Sequence, residues 1–236
     1  MKSLIPGLFI LLLSPAVMAD RLVIGVEELN YYPYFTFEDG EYAGHARELL
    51  DAFAEDNGYH FDFRPLPVAR LLDAFLDGDV DFKYPDDPDW SRDAREGYDI
   101  YYSDPVIPYV DGVVASGRLE EPESLATVRG FTPLPYLDQI EGGEVELHEV
   151  PNAVQLVRFV ISGRAEAAYF NIRVLEYQLE EMGREEVLKF QEHMPHVRAD
   201  YYLSTLEHQE VVEAFNEWMA DNRDLVEEIN ARYNLD

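Results

Sequence analysis

The chain has 236 residues, 27.2 kDa, with 18 basic against 48 acidic side chains and a formal net charge of −30. So negative a field repels the dense phosphate of nucleic acid and an anionic membrane surface, and no basic segment along the chain offsets it. With 47% hydrophobic and 13% aromatic residues there is ample apolar surface to bury, which excludes a disordered acidic tail and fits one large domain or two lobes of about 100 residues each.

Lys2 precedes an apolar run from Leu4 to Leu13, and Ser14-Pro15-Ala16-Val17-Met18-Ala19 sets short residues before Asp20. This is the pattern of a signal peptide, residues 1–19, cleaved after Ala19; the run is about half the roughly twenty residues a spanning helix needs. The chain has no cysteine, hence no disulfide, no thiolate metal site and no lipid acceptor after the signal. A free, unlipidated protein of the periplasm is expected, with full secretion as the second reading. Lysine occurs only at Lys2, Lys83 and Lys189, and every other basic residue is arginine. An acid-rich, lysine-poor surface of this halophilic type suits a salt-adapted source.

Leu22 to Val26 reads as a strand, and Gly44 to Asp56 carries Leu49, Leu50 and Phe53 at helical spacing, closed by Asn57-Gly58. Phe61 to Phe63 is a second strand. Pro67 opens a helix over Val68 to Leu76, Gly78 ends it, and Val80-Asp81-Phe82 is a third strand with Lys83 just beyond it. Such alternation predicts a parallel sheet with covering helices. A loop dense in Pro and Asp follows, Tyr84 to Ser91, then extended segments at Tyr98 to Tyr102 and Val113 to Ala115 around the Ser103-Asp104-Pro105 turn. After a polar connector, Gly117 to Ser124, the alternation restarts. Strands are predicted at Thr127 to Phe131, Glu146 to Glu149, Ala167 to Phe170 and Leu188 to Phe190, with a short helix near Tyr136 and longer ones over Asn152 to Ser162 and Ile172 to Met182. Asn152 suits an N-cap and Gly163 a stop. Arg198 to Leu203 is extended, and Glu207 to Ala220 and Asn222 to Tyr233 form two terminal helices.

Six segments in order then carry a family likeness: Leu22-Val-Ile-Gly-Val26, Tyr32-Pro33-Tyr34-Phe35, Asp39-Gly40 with Gly44, Leu76-Asp-Gly-Asp-Val-Asp81, Tyr102-Ser103-Asp104-Pro105 and Gly163-Arg164-Ala165-Glu166-Ala167. The series resembles the family 3 extracellular solute-binding proteins, the polar-amino-acid type of periplasmic binding protein, and spans essentially the whole chain after the signal. The resemblance implies a two-lobed α/β fold of type II, mixed sheets with covering helices, closing on a ligand held in the cleft. It places lobe 1 at 20–107 plus 201–236 and lobe 2 at 108–200, with crossover strands near Val106 to Val114 and Val197 to Leu203.

Ligands of parallel α/β sheets sit beyond the carboxyl ends of strands, so Glu28 to Tyr34, Lys83 to Asp87, Arg129 to Tyr136 and Tyr169 to Asn171 are the candidate stretches. Tyr31 matches the position whose ring covers the ligand in the resembled family. Tyr31, Tyr34, Lys83 and Tyr84 are expected to form the lobe 1 wall and Arg129, Thr132, Tyr136 and Asn171 the lobe 2 wall. Lys83 suits either a ligand carboxylate or an internal pair with Asp86 or Asp87. The family's carboxylate-clamping arginine lies shortly before the Ser-Asp-Pro segment; Arg92 and Arg95 are near, but the stretch Tyr84 to Gly97 is about three residues longer than usual and puts neither in register. The acid expected to hold an α-ammonium is replaced by Asn171, which is neutral. Both departures weaken a free amino acid as ligand, and a small polar or anionic metabolite fits as well.

His193 and His196 are two residues apart but flank Pro195 and match no zinc motif. Acidic residues are too numerous to nominate a catalytic pair, and neither a nucleophile elbow nor a phosphate or dinucleotide loop occurs. The expectation is a monomer without cofactor that delivers a small molecule to an inner-membrane ABC-type permease or a receptor. Periplasmic cyclohexadienyl dehydratases share the resembled fold, and an enzyme of that kind is the alternative.

Overall fold

The computed structural model describes residues 21–235; the predicted signal segment lies outside the described residues. The first half comprises β1 (Arg21–Glu27), a small hairpin β2 (Thr36–Glu38) and β3 (Glu41–Ala43), α1 (His45–Asn57), β4 (His60–Leu66), α2 (Val68–Leu76), β5 (Phe82–Asp86), α3 (Arg92–Arg95) and β6 (Tyr101–Tyr102). After the long β7 (Ile107–Ala115) come β8 (Ser124–Val128), a 3-10 turn at Leu134–Tyr136, α4 (Leu137–Glu141), β9 (Glu146–Val150), α5 (Ala153–Ile161), β10 (Ala167–Asn171), α6 (Ile172–Glu181) and β11 (Lys189–Phe190). The chain ends with β12 (Val197–Thr205), α7 (Gln209–Asp221) and α8 (Arg223–Arg232).

One hydrogen-bonded path joins the strands in the order β4-β1-β5-β12-β7-β10-β8-β9. Its two ends are parallel, β4-β1-β5 and β10-β8-β9, as strand–helix–strand units require. Between them β7 and β12 run antiparallel, Val197 opposite Asp111 through Tyr201 opposite Ile107. These two strands of nine residues each carry the chain from one half to the other and back.

Most helix boundaries lie within two residues of those predicted, because the apolar faces and the stops agree. Asn152 caps α5, its side-chain oxygen accepting from the Gln155 amide at 2.9 Å, and Leu156, Val157 and Val160 are buried beneath it. The terminal helices return to the first half: the Phe215 and Phe53 rings meet edge to face at 5.1 Å, and the Trp218 indole donates to Asp56 at 2.8 Å. Each such aromatic buries enough area to contribute about 2–3 kcal/mol.

Strands deviate more. β5 begins at Phe82 and runs on through Asp86, so Lys83 lies inside the strand and not beyond it. The pattern hid this because Pro85 reads as a breaker; β5 carries one extra residue between Lys83 and Asp86 opposite Ser204 to Tyr202 of β12, a bulge that accommodates the proline. β8 covers Ser124–Val128 instead of Thr127 to Phe131, since the left-handed Gly130, φ 92°, turns the chain away immediately after it. β7, Ile107–Ala115, and β12, Val197–Thr205, lie where the family likeness put the two crossover strands; the local pattern had marked only Val113 to Ala115 of β7, because pairing with β12, not side-chain alternation, defines its first half.

Candidate functional site

The carboxyl ends of β1, β5 and β8 converge where β7 crosses between the halves. There a cavity of about 50 Å³ is walled by Glu27, Lys83, Trp90, Arg95, Asp111, Phe131 and Thr132, with Val68 and Leu72 of α2 closing one side. At Ser91 and Thr132 it adjoins an outer groove of about 750 Å³ between Ser91 to Ala94 and the Thr132 to Leu137 turn. Both halves contribute to the wall. Gly130 packs so closely on the start of α2 that a Cβ there would lie 2.8 Å from the Ala69 nitrogen, so its glycine is required both by φ and by the approach.

Two sets of charges meet at this cavity. In the first, Asp86 is completely buried and accepts from Lys83 Nζ at 2.6 Å and from Arg95 through two parallel bonds, Nη1 to Oδ2 at 3.0 Å and Nη2 to Oδ1 at 2.6 Å. Ser204 Oγ adds a bond at 2.6 Å. Burial pushes the Asp86 carboxyl up, but Lys83 and Arg95 outweigh it and hold it below the usual carboxylate range. Arg95 spends its remaining bonds on the Trp90 carbonyl at 2.7 Å and the Tyr102 hydroxyl at 2.9 Å, and Lys83 donates to the Pro85 carbonyl at 2.7 Å.

The second set has no such partners. Glu27 and Asp111 are 3% and 8% exposed; Asp111 Oδ1 is buried without a hydrogen bond, and the Glu27 carboxyl makes none among the described residues. Burial raises each to about 7, against a partial pull downward from Lys83 on Glu27 and from the neighbouring Asn171 amide on Asp111, with Asp87 and Glu27 adding to the rise at Asp111. The aromatic face is supplied by Trp90, whose ring centroid lies 5.1 Å from Lys83 Nζ, and by Phe131.

Of the eight residues expected from sequence, Lys83 and Thr132 line the cavity. Tyr31 lies behind Phe131, stacked on it at 5.7 Å and on Phe35 at 5.0 Å, its hydroxyl 3.2 Å from that of Tyr201. Tyr34 donates to the Pro108 carbonyl at 3.2 Å, and Tyr84 is buried in the first-half core. Asn171 caps α6 by accepting from the Val174 amide at 3.1 Å and donates to the Tyr201 hydroxyl at 3.3 Å. Tyr136 is packed against Tyr169 in a separate apolar cluster on the second half, and Arg129 is exposed. None of these six residues belongs to the cavity lining.

Glu27, Trp90, Arg95, Asp111 and Phe131 complete the lining, and sequence reading had not singled them out as ligand contacts. Glu27 is the last residue of β1, one position before the stretch the strand-end rule selected. Asp111 carried a usable signal, a lone acid inside the apolar run Tyr109 to Ala115. Arg95 is out of register by spacing, yet α3 carries its side chain back into the cavity wall.

No family model and no curated protein matches the chain. Solved structures do. A histidine kinase sensor domain with similarity to periplasmic binding proteins superimposes with TM-score 0.75 at 20% identity, over 91% of this chain and 96% of that one. An ancestral arginine-binding protein bound to arginine gives TM-score 0.72 at 15% identity over 90% and 97%. The ancestral amino-acid-binding protein AncCDT-1, a precursor of cyclohexadienyl dehydratase, gives 0.69 at 17% identity over 90% and 95%. At these identities the likeness establishes the fold: the two-lobed architecture of periplasmic binding proteins, α/β with mixed sheets. Among the described residues no helix is long and apolar enough to cross a membrane.

Proposed function

We propose that the protein is a solute-binding module of the periplasm, with lobes at 20–107 plus 201–236 and at 108–200, that closes on one small molecule without transforming it. The observation that carries this reading is a pair of buried acids brought from β1 and from the crossover strand β7 to one cavity lined by Trp90 and Phe131: Asp111, with one buried oxygen that has no donor, and Glu27, whose carboxyl makes no hydrogen bond among the described residues. Leaving such groups unsatisfied costs stability, and a ligand that bonds to them repays it. A ligand touching β1 and β5 on one side and the Gly130 to Thr132 turn on the other binds the closed arrangement alone, so it shifts the population to that state. The closed form is then what an ABC-type permease or a sensory receptor reads, and the kinship of the fold to both transport proteins and a kinase sensor domain supports either partner.

A dehydratase-like reaction is the second reading, because carboxyls held near 7 suit a general acid. The cavity argues against it for an anionic substrate: its two cations are already engaged by Asp86. The test is a thermal-shift and calorimetric screen of amino acids, amines, carboxylates and sugars, with product analysis for any dianionic cyclohexadienyl substrate such as prephenate. Saturable stabilisation without product is the expected result; turnover of prephenate transfers the site to the enzyme reading, and absence of any stabilising compound removes the binding reading.

A further inference from the structure

The class of solute can be named, on the premise that the solute-binding reading holds. An amino acid or organic acid needs a free cationic fork for its carboxylate. Here Arg95 has the geometry that grips a carboxylate in two bonds, but the carboxylate in its grip is Asp86 of the same chain. An incoming carboxylate would have to expel Asp86, which is also bonded to Lys83 and Ser204, and would strand a buried charge. The other half of the cavity has the opposite need. Asp111 Oδ1 is buried with no donor, and Glu27 has none among the described residues. With both ionised, the charges of Lys83, Arg95, Asp86, Glu27 and Asp111 leave one net negative charge, facing the rings of Trp90 and Phe131, whose faces attract cations.

We propose that the solute is a small organic cation carrying no carboxylate, its charged end held by Glu27 and Asp111 and its body against Trp90 and Phe131. Asp86 acts as a built-in substitute for the ligand carboxylate, filling the fork of Arg95 permanently.

Matched pairs that differ only in the carboxylate test this directly. Agmatine against arginine and cadaverine against lysine are titrated into the purified protein at pH 8 by calorimetry, alongside glutamate and a neutral sugar. The amine of at least one pair is expected to bind tenfold or more tightly than its amino acid. Glu27→Gln and Asp111→Asn are each expected to weaken that amine tenfold or more without lowering the melting temperature. Tighter binding of arginine, lysine, glutamate or the sugar overturns the class of solute and leaves the binding reading standing. Amine affinity unchanged in both variants overturns the site. If no compound binds at millimolar concentration, the binding reading falls and this inference with it.

Discussion

Asp86 and Asp111 are the same residue type, both buried, on strands separated in the sheet only by β12. Asp86 receives bonds from Lys83, from both terminal nitrogens of Arg95 and from Ser204, and stays ionised far from water. Asp111 has an oxygen with no donor, and burial lifts it to about 7. Burial alone therefore says little about role. A buried acid whose lone pairs are filled by its own chain belongs to the fold, and one whose lone pairs are left open at a cavity is set for something the chain does not contain.

The largest effect expected of this contrast is on Asp86. Asp86→Asn keeps the shape but removes the charge that balances Lys83 and Arg95, leaving two buried cations without a counter-ion. Breaking a buried pair in this way costs about 3–5 kcal/mol, which urea denaturation at pH 7 measures. Asp111→Asn is expected to cost nothing or to stabilise. Equal losses in the two variants would erase the distinction.

The second effect is a dependence of stability on pH, and its sign is unusual for carboxyls. Glu27 and Asp111 have folded values of about 7 against ordinary values of 4.5 and 3.8, so between those limits the folded chain holds protons that the unfolded chain has released. Stability contributed by these groups is complete below about pH 4, falls as pH rises toward 7, and levels off above it, by roughly 3–4 kcal/mol per carboxyl. Asp86, shifted downward, acts the other way: its contribution is present above its ordinary value of 3.8 and is lost as pH falls. Stability curves at pH 5 and pH 8 for the parent, Glu27→Gln and Asp111→Asn isolate the first effect. Each variant should flatten the decline, with the gain appearing at pH 8. A decline as steep in both variants as in the parent would trace it to the net charge of −30 instead.

The same contrast explains what was legible before the structure. Helices with stops, such as Val68 to Leu76 before Gly78, followed from periodicity because they are written in apolar spacing, whereas the return of the tail to the first half was implied only by the family likeness. The cavity was less legible. Strand-end logic reached Lys83 and Thr132, but it nominated the tyrosines at 31, 34, 84 and 136, which are large enough to be required by packing. Phe131, Phe35 and Phe170 surround Tyr31 with centroids 5.0–5.7 Å away, and nothing local in the sequence announces that these distant rings meet. Arg95 illustrates the limit from the other side: its partner Asp86 lies nine residues earlier, within a stretch whose prolines and aspartates look like a loop. The fold of α3 back onto β5 brings the acid and the guanidinium together, and the pairing of β5 with β12 adds Ser204 to the same buried cluster.

Asp87 provides the intermediate case and the smallest effect. It is buried like its neighbour, and burial raises its carboxyl, but the Tyr109 hydroxyl at 2.6 Å and the Asp89 amide at 2.7 Å bond to it and pull it back partway. Tyr109→Phe removes one of those bonds and little else, since the ring stays stacked on Tyr201 at 4.4 Å with the planes 12° apart. A hydrogen bond to a charged acceptor of this kind contributes about 1–2 kcal/mol. Because the bond favours the ionised carboxyl, its loss raises Asp87 further, and the penalty should be larger at pH 8 than at pH 5. A penalty equal at the two pH values would mean that the hydroxyl serves packing alone.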